Sequence, residues 1–197
     1  VFDGASIRWQ NQAPKDIRLS EKQLLSEAEF FATYKRAFNT DGSYEFREFQ
    51  SFYDKTGMEH KRYLLFYKGI EITETHYLLH FRGGFVRHAN GNPVQRLDLN
   101  VNPSVSVNQA ESVVRNRFPD YFLNTRIQKK LKRNLPFPDL AEPKLVISRA
   151  DKEALIENYR LVWRYDIFNP RSLKRYLVDI DAHSGELYGL LPASFED

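Results

Sequence analysis

Three histidines lie close together in the middle of the chain: His76, His80 and His88. Imidazole nitrogen is a common zinc ligand, and two histidines four apart on a helix share one face, the usual zinc-binding pair. The surrounding residues read as a strand instead, and position 77 is Tyr, where a zinc peptidase helix carries its catalytic Glu. A metal site also needs three or four ligands, so His88 would have to join them. Two strand histidines pointing the same way are the simpler reading, and no metal or cofactor is expected. A second group, Asp179, Asp181 and His183, has the residue types of an acid/base pair. Its simpler reading is structural. Asp181 caps a turn, and Asp179 pairs across a sheet with Arg160 or Arg164, a contact worth about 0.2–1 kcal/mol that sets register more than stability. Nothing nearby looks like a nucleophile or an oxyanion donor pair. The chain contains neither H-E-x-x-H nor G-x-x-x-x-G-K. No catalytic residue is therefore assigned.

A third group is the basic run Arg126-Ile127-Gln128-Lys129-Lys130-Leu131-Lys132-Arg133. A nucleic-acid surface would interleave aromatics or present a recognition helix. The nearest aromatics, Tyr121 and Phe122, precede the run. It reads as a solvated helix face, or as a surface for an acidic protein partner. Nucleic acid is not an expected partner.

The bulk numbers set bounds. A chain of 197 residues makes one domain or two small ones. Hydrophobic residues are 42% and aromatics 14%, which supports a packed core and favours strands. With no cysteine there is no disulfide framework, thiolate site or cysteine nucleophile. The net charge of +3 is too small to demand an acidic polymer as partner. No apolar run approaches the ~18 residues of a membrane span. The chain opens on Val1 rather than Met, so a targeting segment is expected to have preceded it.

The elements that must position these residues follow from periodicity. Residues 1–17 look irregular, with Ile7 and Trp9 in a short edge strand. Leu19 to Gln23 reads as a helix start: Ser20 caps, Gln23 completes the capping box, and Leu19 staples to Leu24. Leu24, Ala28, Phe31 and Ala32 share one helical face, and the helix should end near Asn39 to Gly42. Tyr44 to Phe52 alternates with one phase change, the mark of a bulge. His60 to Tyr67 and Thr73 to Phe81 are strands joined through Lys68-Gly69-Ile70. Gly83-Gly84 turns into Phe85-Val86-Arg87, Asn90-Gly91-Asn92 is a further turn, and Gln95 to Val101 a last strand. Val105 to Gln109 repeats the helix signature, with Ala110, Val113, Val114 and Phe118 as the buried face. Pro136, Pro138 and Pro143 then break the chain, and Lys144 to Arg149 and Tyr159 to Phe168 are strands. Helix-then-strands occurs twice, so the fold class is α+β: two small units, each a helix packed on an antiparallel sheet.

The last hairpin is the clearest. Tyr176, Val178 and Ile180 alternate with Leu177, Asp179 and Asp181, Ala182-His183-Ser184-Gly185 turns the chain, and Glu186 to Leu190 resumes extended structure. VDIDAHSGELYG resembles the end of a PepSY domain. Upstream, YLLFYKGIEITETHYLLH, Tyr63 to His80, resembles the fungalysin/thermolysin propeptide module, FTP. FTP followed by PepSY is the layout of the prosegment of secreted thermolysin-like and fungalysin-like metalloproteases. The resemblance covers roughly Leu19 to Leu191. It implies a cystatin-like or PepSY-like build for the units. The division expected is a 1–18 N-terminal extension, a 19–102 FTP-like domain, a 103–191 PepSY-like domain, and 192–197 as the start of a linker to a downstream domain. Residues 120–143 look like an insertion in the PepSY pattern.

The function implied is a non-catalytic propeptide, acting as intramolecular chaperone and inhibitor of a downstream zinc metalloprotease, secreted from a bacterial cell. The partner is that protease's catalytic domain, in cis. Docking or motif residues implied by the resemblance alone are Tyr67, Gly69, Ile70, Asp179, Asp181, His183 and Gly185. Gly69 would also permit a bend, and Ile70 fill the core. The alternative is a free-standing protein-binding or protease-inhibitor module acting in trans. A third class, an enzyme with a pocket in its sheet, would need His76, His80 and His88 to converge.

Overall fold

Two dipeptides set the course of the first half of the chain. Lys68-Gly69 and Gly83-Gly84 have positive φ at both positions, 48° and 82°, then 61° and 80°. That is the signature of the two-residue type I′ turn, whose twist matches that of the strands it joins. The computed structural model describes residues 4–10, 13–38, 42–94, 96–121, 142–149, 158–169, 172 and 174–193. In order, the elements are β1 (Ala5–Gln10), β2 (Ala13–Leu19), α1 (Glu27–Tyr34), β3 (Tyr44–Tyr53), β4 (Glu59–Tyr67), β5 (Ile70–Arg82), β6 (Phe85–Gly91), α2 (Val107–Arg117), a 3-10 turn (Pro119–Tyr121), β7 (Lys144–Arg149), β8 (Tyr159–Asn169), β9 (Lys174–Asp181) and β10 (Leu187–Pro192). The architecture is α+β, with antiparallel pairing throughout the named ladders. The chain divides into two compact units, Val1–Asp98 and Leu99–Asp197.

In the first unit the strands run β1-β2-β6-β5-β4-β3. Residues expected to be irregular form the β1–β2 hairpin, and Ile17, fully buried, anchors it in the core. Helix α1 lies against one face. Phe30 and Tyr34, one turn apart, pack with Ile17, Tyr63, Tyr77, Leu79, Phe81, Val86 and Ala89. Each aromatic buried this way contributes on the order of 1.5–3 kcal/mol.

The helix starts later than its first S-x-x-Q motif suggests. Ser26 is the N-cap, and Glu29 closes the capping box. Residues 20–25 are held elsewhere: Arg87 donates to the Glu21 and Gln23 carbonyls, and Val86 N–H to Leu25 O. Leu24 is accordingly 52% exposed rather than on a buried face.

Two further expectations fail for local reasons. Gln95 to Val101 forms no strand among its described residues; Leu97 N–H instead donates to the Tyr44 hydroxyl at 2.7 Å. Asn90-Gly91 is not a turn but the end of β6. Gly91 is glycine for space: a Cβ there would sit 2.1 Å from the His76 carbonyl oxygen.

In the second unit, α2 starts at the expected capping box of Ser106 and Gln109. Ala110 and Val114 are buried against Tyr165, Ile167, Val178 and Ile180. Tyr165 donates its hydroxyl hydrogen to Val107 O, and Trp163 its indole N–H to Val105 O. These bonds fasten the start of the helix to β8. The sheet is a meander, β7-β8-β9-β10. Pro192 still pairs with Tyr176, so extended pairing runs past Leu191, where a linker was expected. The basic run Arg126 to Arg133 lies outside the described residues.

Gly91→Ala should destabilise the chain by about 2 kcal/mol or more, because the clash is with backbone rather than a flexible side chain. Urea unfolding followed by tyrosine fluorescence measures it. Gly69→Ala, where a Cβ meets nothing within 4 Å but φ is 82°, should cost less.

Candidate functional site

The face of the first sheet opposite α1 carries a row of three imidazoles in register. His60 on β4 pairs directly with His80 on β5, and His80 with His88 on β6. Neighbouring ring centroids are 4.8 and 4.9 Å apart; the His80 and His88 rings are stacked at 16°. His60 Nδ1 and His80 Nδ1 are 2.6 Å apart, and His80 Nε2 is 2.6 Å from Asn90 Oδ1. A carboxylate closes each end of the row. His60 Nε2 meets Asp54 Oδ2 at 3.0 Å, and His88 Nε2 meets Asp16 Oδ2 at 2.9 Å.

The local fold explains the row. Leu65 pairs with Ile72 but Leu64 with His76, so Thr73, Glu74 and Thr75 bulge out of β5. Glu74 sits at φ 62°, and Thr75 donates its hydroxyl hydrogen to Ile72 O. Asn92 clamps the bulge, accepting from His76 N–H and donating to Glu74 O. The bulge is what sets His80, rather than Tyr77, opposite His60.

The two carboxylates are strongly engaged. Asp54 Oδ1 accepts from Thr56 N–H, Thr56 hydroxyl and Met58 N–H, building the β3–β4 turn. Hydrogen bonds from the Thr56 side chain first, then His60, hold its carboxyl well below the usual range. Asp16 is 9% exposed, and burial would raise its carboxyl; the bonds from His88 and Arg18 outweigh that and lower it.

His76, half of the zinc pair considered from sequence, is exposed, with its ring 6.2 Å from Phe49. His60, which completes the row, was not singled out. Among the described residues no group of three His, Asp or Glu side chains is arranged to hold a metal ion.

The residues implied by the family resemblance do not meet in one place. Tyr67 is 4% exposed and stacks at a tilt on Tyr44. Gly69 makes the β4–β5 turn, and Ile70, half-buried, opens β5 opposite Tyr67. Asp179 is 1% exposed and takes a bidentate bond from Arg164, 2.7 Å on both oxygens, while Arg164 also reaches Ser148 Oγ. The partner is Arg164, directly across the β8–β9 ladder, and the pair is buried rather than a contact that only sets register. Asp181 Oδ1 accepts from His183 N–H and Ser184 N–H, an Asx turn. The His183 ring points away from it, to Asn100 O and Ser104 Oγ. Gly185 has φ 76° and closes that turn with its N–H on Asp181 O. Asp179, Asp181 and His183 thus form no acid/base relay.

One surface does gather apolar side chains in the open. Among the described residues β3 pairs only with β4, so it is the outermost strand of that side of the sheet. Phe49, Phe52 and Tyr53 on it are 47%, 39% and 70% exposed. Beside it, Phe31, Ala32, Lys35, Phe38, Tyr44 and Phe46 line a cleft of about 360 Å³ between α1 and β3. An outermost strand with aromatic flanks offers main-chain hydrogen bonds and apolar contact to an extended segment of another protein.

The family model described as Fungalysin/Thermolysin Propeptide Motif matches residues 44–93, the stretch that holds β3 to β6. No curated protein matches the chain. Among solved structures, the Bacillus megaterium YpeB C-terminal domain aligns at 14% identity over 96% of this chain and 76% of that one, with a TM-score of 0.41.

Asp179→Ala should cost about 3 kcal/mol or more, because it removes the buried carboxylate that takes both bonds of the bidentate pair with Arg164. Replacing both, Arg164→Leu with Asp179→Leu, should recover part of that loss in the same urea titration.

Proposed function

We propose that the chain is a non-catalytic propeptide, acting as folding chaperone and inhibitor of a zinc metalloprotease catalytic domain joined to it in cis and secreted with it. The observation that carries this reading is the match of residues 44–93 to the propeptide motif. In this reading the first unit is a cystatin-like FTP module. The second, whose last hairpin ends in the Asp181 turn, is PepSY-like. The physical task is to recognise the folded protease. A partner that binds the native form and not the unfolded chain stabilises it by mass action. A folded surface offered early also shields the exposed apolar surface of a large, slow-folding domain.

Docking then falls on side chains that a partner can reach. Tyr67 and Asp179 are too buried for that and serve the fold. Gly69, Ile70, Asp181 and Gly185 shape turns and strand ends. His183 is exposed and remains a candidate contact. The outer side of β3, which pairs only with β4 among the described residues, supports the main interface, with Phe49 and Tyr53 as its anchors. Large aromatics are favoured anchors because they bury much area with few rotors to freeze.

The test is hydrolysis of a peptide by the mature protease encoded downstream, with the 197-residue chain added at micromolar concentration. Slowing is expected. Phe49→Glu combined with Tyr53→Glu should weaken inhibition about ten-fold or more while leaving the far-ultraviolet circular dichroism unchanged. A correctly folded chain that leaves the rate untouched would contradict the reading.

A further inference from the structure

Lys61 and Arg62 are consecutive on β4 and so point to opposite faces of the first sheet. Lys61, on the α1 side, holds two carboxylates, Glu27 at 2.7 Å and Glu48 at 3.3 Å. Arg62 is exposed on the face away from α1 and, among the described residues, pairs with no carboxylate. Gln50 and Leu78 lie directly across from it on β3 and β5, and His60 and Leu64 stand two residues before and after it on β4. None of the four is acidic. Other carboxylates near this face are engaged or distant. Asp16 holds His88, Arg18 and Arg8, Glu45 holds Arg47, and Asp54 is taken by His60 and its own turn. Glu71 and Glu74 sit towards the β4–β5 turn, on the other side of His76 from Leu78.

An exposed arginine is ordinary by itself. The setting of this one is aromatic. Phe52, exposed, stacks on His60 with ring centroids 5.0 Å apart. Phe49, also exposed, has its ring 6.2 Å from that of His76, which pairs with Leu64. In register, Arg62 is thus bracketed by two open phenyl rings. Aromatics and arginine together are the composition of the centre of a protein–protein interface. The guanidinium fork matches a carboxylate in two parallel bonds. A nucleic-acid strand would instead call for a series of free cations along its phosphates. Arg47 is already held by Glu45 and lies 3.9 Å over the Phe66 ring, and Arg82 lies beyond the histidine row.

We propose that Arg62 takes an aspartate or glutamate side chain of the partner protein, with Phe49 and Phe52 covering the apolar residues beside that acid. The proposal rests on the reading of the chain as a protein-binding propeptide. It adds the chemistry of the contact point on the catalytic domain: an acid set among apolar side chains. In the free chain water solvates the guanidinium. In the complex the two rings keep water from the ion pair, which strengthens it. Because Arg62 has no internal partner among the described residues, replacing it costs the complex and not the fold.

Inhibition of the mature protease by the full 197-residue chain is compared for the native chain, Arg62→Glu, Arg62→Gln and Arg117→Glu. Arg117, exposed at the end of α2 in the second unit, controls for net charge. Arg62→Glu should raise the inhibition constant about ten-fold or more, Arg62→Gln by less, and Arg117→Glu by no more than about two-fold. Between about 50 and 500 mM NaCl the native constant should rise more steeply than that of Arg62→Gln. Urea midpoints of all four should agree; should that of Arg62→Glu shift, the constant and salt slope of Arg62→Gln decide. Arg62 variants that inhibit as the native chain does, or an equal loss in Arg117→Glu, would overturn the contact and leave the propeptide reading standing. A folded native chain that does not inhibit overturns that reading and the contact with it.

Discussion

The register of β5 against its neighbours governs the first unit. Thr73, Glu74 and Thr75 are looped out of the β4–β5 ladder, and Asn92 and Gly91 hold them there. One residue of slippage in a strand exchanges its two faces. The bulge therefore decides both which residues enter the core and which stand in the row behind it. Tyr77, Leu79 and Phe81 face α1, while His80 faces away between His60 and His88. Without the three extra residues the turn at Lys68-Gly69 would carry Tyr77 to the place opposite His60.

The two units solve the same problem with different chemistry. Each packs a short helix on one face of an antiparallel sheet and needs something polar but orderly behind it. The second unit uses full ion pairs there: Arg164 with Asp179, and Arg175 with Asp166. Guanidinium and carboxylate stay charged across the physiological range, so those contacts are insensitive to mild acid. The first unit uses imidazoles, whose charge changes within that range.

Much of this was legible in the sequence, where a residue type has one dominant use. Lys68-Gly69 and Gly83-Gly84 announced hairpins because few residues accept positive φ in succession. Ser106 with Gln109 marked the start of α2, and Asp181 the last turn. The same capping motif at Ser20 and Gln23 misled, since Arg87 and Val86 at the start of β6 claim the backbone of residues 21–25. No local pattern reveals that. The bulge was invisible because Thr-Glu-Thr alternates like an ordinary strand. With it went the alignment of His60, twenty residues from its partner. The pairing of Asp179 with an arginine could be foreseen, but not its burial, so the contact was undervalued. Asn90-Gly91 looked like a turn, when its glycine was needed for a close approach of two strands.

The reading of this chain as a surface for a folded protease rests on β3 as the place of contact. Hydrogen–deuterium exchange of the chain, alone and with the mature catalytic domain, reports on that directly. Slowed exchange is expected at outward-facing amides of Tyr44 to Tyr53, with β8 and β9 unchanged. Unaltered exchange along β3 under conditions where the two proteins co-elute would contradict it, and would place the interface elsewhere.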